Sequence, residues 1–159
     1  MVAIRRVLQP ALGRLVITFA LAVGLCGVVA LTAAPRADAA VTSAVGVTVV
    51  KAAATRKGVP YRAGGSGPRG FDCSGYTKWA YARVGKSLPR TSNAQHRVTV
   101  HIGTAQRRVG DLVFFFSGSR ISHVGIYAGG GKIWHSPKRG DRVKLSKIWT
   151  SKVRYARVR

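Results

Sequence analysis

Along the 159 residues the pattern of apolar and polar positions changes character several times. Leu15 to Ala34 is an uncharged, largely apolar run close to the ~20 residues that a bilayer-crossing helix needs. Ala40 to Val50, "AVTSAVGVTVV", is neutral and β-branched, without a period that marks an ordered element. "TVVKAAATRKG" predicts a short helix, with Gly58 placed to end it. The stretch "VPYRAGGSGPRGF" is rich in glycine and proline and has neither helical nor strand periodicity. Tyr76, Trp79, Ala80 and Val84 then recur at three- and four-residue steps, which predicts an amphipathic helix opening at Cys73, with Asp72 as N-cap and Gly85 as its stop. Residues 86–110 are polar and basic, with one short helix expected from Ser92 to His96.

Beyond residue 110 the period drops to two. "DLVFFFS" fits a buried strand, and "SHVGIYA" alternates His123, Gly125 and Tyr127 with Val124, Ile126 and Ala128. Gly129 to Gly131 form a hairpin turn that returns through "KIWHS". "DRVKLS" is a further strand, and "KVRYARVR" is expected as a basic edge strand. Helices followed by antiparallel strands predict an α+β fold, with N-terminal helices packed on an antiparallel sheet of about five strands.

The apolar run gains meaning from its flanks. Arg5, Arg6 and Arg14 precede it, and Ala37-Asp38-Ala39 behind it has the small-x-small form that a signal peptidase reads. The expected organisation is a secretory signal peptide over 1–39, a lead-in over 40–57 and a catalytic domain over 58–159. General secretion with cleavage after Ala39 is preferred over an uncleaved anchor, so no stable membrane anchor is expected. Leu25 before Cys26 speaks against lipidation. Loss of the leader removes Cys26 and leaves Cys73 alone, which excludes an internal disulfide.

Charge narrows the partners. The chain carries 27 Lys and Arg against four aspartates, with no glutamate; the leader takes four of the bases and one acid, leaving a net charge of about +20. A field of that size implies a polyanionic partner: nucleic acid, phospholipid or an acidic wall polymer. Export favours the last, and the expected location is extracellular and cell-wall associated.

At the first turn of a helix a cysteine feels the positive end of the helix dipole and nearby N–H groups, which favour the thiolate. Ser74 and Gly75 are small enough to leave the sulfur reachable. The residues alone leave Cys73 open as a buried thiol, an intermolecular bridge or a nucleophile. His123 stands on the polar face of its strand, where it could take a thiol proton, and the hairpin brings His135 back beside it. His96 and His101 sit in the basic segment, expected to be exposed, with no cysteine or carboxylate at metal-ligand spacing; no metal and no cofactor is expected. Asp111 and Asp141 read as turn residues and Trp79 as core.

"GVPYRAGG", "GFDCSGYTKWAY", "LPRTSNAQ", "VGDLVFF", "SHVGIYAGGGKIWHSP" and "DRVKLS" follow one another in the order of the NlpC/P60 cell-wall cysteine peptidases, and Gly58 to about Trp149 resembles that family. The resemblance implies a papain-like fold and hydrolysis of peptidoglycan stem peptides, most often at the D-γ-glutamyl-diamino acid bond. It implies Cys73 as nucleophile, His123 as general base and acid, and His135 as the third member. Tyr61 would assist the oxyanion together with the Cys73 N–H, and Asp72, Ser74, Ser92 and Trp134 would contact substrate. Arg62-Ala63 departs from the family's usual pair before the double glycine. The expected partners are the wall peptide and anionic wall polymers, with the protein acting as a monomer. Two other classes remain as alternatives: a catalytically silent cationic envelope-binding module and a nucleic-acid-binding protein.

Overall fold

The structure, a computed structural model, describes residues 37–159; the leader, apart from its last three residues, lies outside them. Helix α1 spans Ala37–Ala54, α2 Cys73–Ala82 and α3 Ser92–Val98. Two short strands, β1 (Ser66–Gly67) and β2 (Gly70–Phe71), pair antiparallel within the glycine-rich stretch. The main sheet is built from β3 (Val100–Ile102), β4 (Leu112–Ser117), β5 (Arg120–Gly129), β6 (Lys132–His135), β7 (Lys144–Lys147) and β8 (Val153–Arg157). Its order is β3-β8-β4-β5-β6-β7, antiparallel throughout. No described helix is long and apolar enough to cross a membrane.

The α+β architecture is as expected, with six strands in the sheet rather than five. The additional strand is β3, whose Val100-His101-Ile102 lies inside the polar segment and pairs with Tyr155 to Arg157. That pairing corrects the expectation for β8, which is not an edge: it runs between β3 and β4 and buries Tyr155 and Ala156. The lead-in also differs. Instead of a short helix, α1 takes in the β-branched run and presents Val45, Val49 and Ala53 at four-residue steps, the last two fully buried. Tyr76 Oη donates to the carbonyl of Ala53 at 2.9 Å, tying α1 to α2.

Helix α2 is covered on most sides, since Tyr76, Thr77, Trp79, Ala80 and Tyr81 are all buried. On the helix-facing side of the sheet, Leu112, Phe114, Val124 and Ile126 join Phe71, Tyr76 and Val49 in the main core. The opposite face carries a smaller cluster of Val113, Phe115, Tyr127, Ile133 and Tyr155. Alternation along β5 sends Val124 and Ile126 to one side and His123 and Tyr127 to the other. Gly129, Gly130 and Gly131 all have positive φ, at 88°, 57° and 68°, a conformation that side chains with a Cβ resist. That turn sets the register Ile126–Trp134 and Tyr127–Ile133.

Candidate active site

Asp72 begins the site. It is the N-cap of α2, accepting from the Gly75 N–H at 2.7 Å and, through its second oxygen, from Gly64 N–H at 3.1 Å. Arg90 grips the same carboxylate with both terminal nitrogens, at 3.0 and 2.5 Å, and also reaches Ser74 Oγ and the Gly65 carbonyl. Burial alone would raise the Asp72 carboxyl, but Arg90 and the two N–H donors outweigh it and hold it below the usual carboxylate range. Arg90 thus clamps the glycine-rich stretch, the cap and the first turn of α2 together.

This clamp works because α2 can approach the loop closely. A Cβ on Gly75 would lie 2.0 Å from the Gly65 carbonyl oxygen, so no larger residue fits without moving backbone. Cys73 is the first residue of the helix, partly buried against the main core. Its Sγ faces the backbone N–H groups of Val124, Ser74 and Cys73 itself. Val124 immediately follows His123 in β5, so the backbone donor at the sulfur belongs to the residue next to that histidine.

Burial pushes the Cys73 thiol up, and the adjacent Asp72 carboxylate adds to this, against the three N–H groups. Burial and Asp72 therefore act against the thiolate that the helix terminus favours. His123, buried at the edge of the second cluster, is pushed down to about 3 by burial and by His135. His135 is pushed down to about 4 by burial and by Lys144, with Asp141 acting the other way. Both imidazoles are neutral near pH 7.

Their hydrogen bonds define a direction. His123 Nε2 lies 2.8 Å from His135 Nδ1, and His135 Nε2 lies 3.0 Å from Ser146 Oγ. If His123 is to accept a proton at Nδ1, its Nε2–H must donate to His135 Nδ1, and His135 Nε2–H must donate to Ser146. The chain His123, His135, Ser146 is thus a consistent set of tautomers with Nδ1 of His123 left for the sulfur's proton.

The remaining expected residues sort clearly. Tyr61 is near enough to Cys73 and Asp72 that either negative charge would raise its hydroxyl, after burial, which raises it most. Ser74 is buried and donates to Asp72 at 3.3 Å, so its hydroxyl supports the cap. Ser92 opens α3 one residue after its cap Thr91, and its side chain joins none of the hydrogen bonds around Cys73. Trp134 packs with the helix-facing core. The tryptophan at the histidines is instead Trp149, 57% exposed, stacked on Phe115 at 4.2 Å and with its ring centre 5.8 and 5.5 Å from those of His123 and His135.

Three participants escaped the sequence reading. Arg90 and Ser146 lie within "LPRTSNAQ" and "DRVKLS", but their partners are 18 and 11 residues away; Trp149 follows the last of these motifs. Among the other residues the expectation that changed is that for His96. His96 is half-buried against Phe114, Phe116 and His101 rather than exposed. Asp111 is 4% exposed and bound by Arg157. Trp79 is core, flanked by the guanidinium groups of Arg56 and Arg83. Among the described residues no group of three or more possible metal ligands occurs.

A helix carrying cysteine at its N-terminus, packed on an antiparallel sheet whose adjoining strands supply a histidine pair, defines the papain-like α+β class. Within that class the chain belongs to the NlpC/P60 family, whose model matches residues 58–158. A Corynebacterium glutamicum protein described as a probable endopeptidase is 48% identical over 103 residues, covering 65% of this chain and 48% of that protein. The "Bifunctional muramidase/DL-endopeptidase CwlT" of Bacillus subtilis is 46% identical over 97 residues, 58% of this chain and 30% of that protein. The crystal structure of the NlpC/p60 domain of the peptidoglycan hydrolase SagA superposes with a TM-score of 0.65 at 34% identity, covering 72% of this chain and 98% of that one. The chain spans about half the length of the Corynebacterium relative and under a third of CwlT.

Proposed function

We propose that this chain is a secreted cysteine peptidase that cleaves peptidoglycan stem peptides at the D-γ-glutamyl-diamino acid bond. The observation that carries this reading is the placement of Cys73 Sγ against the Val124 N–H, beside a histidine whose far nitrogen is already bonded to a second histidine. The names of the relatives support the substrate class, and the DL-endopeptidase among them supports the bond.

In the proposed reaction Sγ attacks the amide carbonyl as its proton passes to His123 Nδ1. The resulting imidazolium is stabilised through Nε2–H by His135. The oxyanion meets backbone N–H groups around Cys73, with the Tyr61 hydroxyl at its side. His123 then gives its proton to the departing amine, leaving a thioester. Water attacks the thioester with His123 again as base, releasing the acid and restoring the thiol.

Mass spectrometry of products from purified peptidoglycan tests the reading. The expected products are fragments ending in γ-glutamyl and others beginning with the diamino acid, from the wild type and not from Cys73→Ala. Turnover by Cys73→Ala, or cleavage at a different bond, overturns it. Removing an oxyanion donor typically lowers rates about 100- to 1,000-fold, so Tyr61→Phe is expected to be slowed by no more than that range, with activity retained.

A further inference from the structure

Next to the histidine pair lies a cleft lined by Ser122, His123, His135, Pro137, Lys138 and Trp149, and Cys73 does not line it. Amide cleavage fixes which end of a substrate it meets. The sulfur takes the carbonyl carbon, whereas His123 must hand its proton to the amide nitrogen. The residue that departs with that nitrogen therefore extends past the imidazole, toward Pro137, Lys138 and Trp149.

The charges around the cleft decide what suits it. Asp72, Asp111 and Asp141 each already hold a basic partner: Arg90, Arg157 and Lys144 respectively. Lys144, the other ammonium near His135, is committed to Asp141 at 2.6 Å. Ser122 Oγ spends its hydrogen on the Phe115 carbonyl at 3.2 Å. Lys138 alone lines the cleft as a charged donor, and none of these aspartates pairs with it. The cleft is also lined by the indole of Trp149, which stacks on Phe115 with 13° between the rings.

We propose that this cleft is a carboxylate subsite: Lys138 recognises a free carboxylate on the leaving residue, whose aliphatic stem lies along Trp149. Specificity then favours stem peptides in which that carboxylate is neither amidated nor consumed. The inference rests on the peptidase reading of Cys73 and His123, and deepens it.

The test uses two stem-peptide substrates that differ only in amidation of the leaving residue's free carboxylate. A single charged contact at an exposed site is expected to give the wild type about a tenfold higher kcat/KM for the free acid, tenfold corresponding to 1.36 kcal/mol. That ratio should shrink as salt is added and fall to about one in Lys138→Met. Equal rates on both substrates, or a preference that survives in Lys138→Met, overturn the subsite while leaving the peptidase reading intact. Binding to Cys73→Ala gives a readout free of turnover: the amine product with a free carboxylate should bind more tightly than its amide. Equal affinities also overturn the proposal. Absence of cleavage of either substrate by the wild type, with equal product affinities, overturns both readings.

Discussion

At the scale of single residues, the site is a partly buried thiol beside buried neutral imidazoles, which has consequences in pH. The free enzyme should alkylate slowly at neutral pH, with a rate that rises only in the alkaline range above an ordinary thiol, followed with iodoacetamide and mass spectrometry. Once the substrate drives proton transfer, the acid limb of kcat/KM should lie below the usual histidine range, because burial holds His123 down to about 3. Stability follows the same groups. Below the unfolded value of 6.5 the unfolded chain takes up protons that the folded histidines refuse, so stability is full above about 6.5 and declines as pH falls toward about 3. Asp72 moves in the same sense, because its depressed carboxyl must be protonated to lose Arg90. Urea unfolding across that range checks the sign. Ser146→Ala removes the acceptor that fixes the His135 tautomer and should lower kcat several-fold with little change in KM, as tautomer errors act on proton transfer. Arg90→Met leaves a mostly buried carboxylate with its backbone donors only. With Arg90 itself 35% exposed, the loss should be about 1–2 kcal/mol in urea unfolding.

At the scale of elements, what was legible depended on whether one segment carried its own pattern. β4 to β6 and the glycine hairpin were readable because their buried positions leave an alternation or a continuous apolar run in the local sequence. Cys73, His123 and His135 were readable for the same reason, since α2 and the hairpin place them by local geometry. α1 was not, because its valines and threonines favour strands in isolation and only docking on α2 makes them helical. β3 was hidden because three residues between basic neighbours carry too little pattern, and β8 was misplaced because its arginines looked like an edge while Asp111 was waiting for Arg157. Arg90 and Trp149 depend on long-range contacts that no spacing reveals. The α2 first turn gives a sharp test of which effect prevails. Helix propensity alone would reward Gly75→Ala by about 1 kcal/mol, but the 2.0 Å approach to the Gly65 carbonyl opposes it. Overpacking against backbone typically costs about 1–3 kcal/mol, so a net loss of stability with detached loop contacts is expected, read by thermal unfolding and by loss of Cys73 protection from alkylators.

At the scale of the whole molecule, the fold spends its few carboxylates on itself. Asp72, Asp111 and Asp141 each hold one structural junction: the α2 cap, the β4–β8 contact and the turn before β7. The basic residues beyond these three pairs make a cationic surface suited to a polyanionic wall, and its binding to purified wall should weaken steeply as salt rises. Binding unchanged at high salt would sink that idea. The same economy of acids has a further consequence. Asp72, Asp141, His96, His123 and His135 are all held below their ordinary values, and the cations are almost all arginine and lysine. Those three histidines therefore add little charge near neutrality, and the proposed grip on an anionic surface should respond far more to ionic strength than to mild acidification.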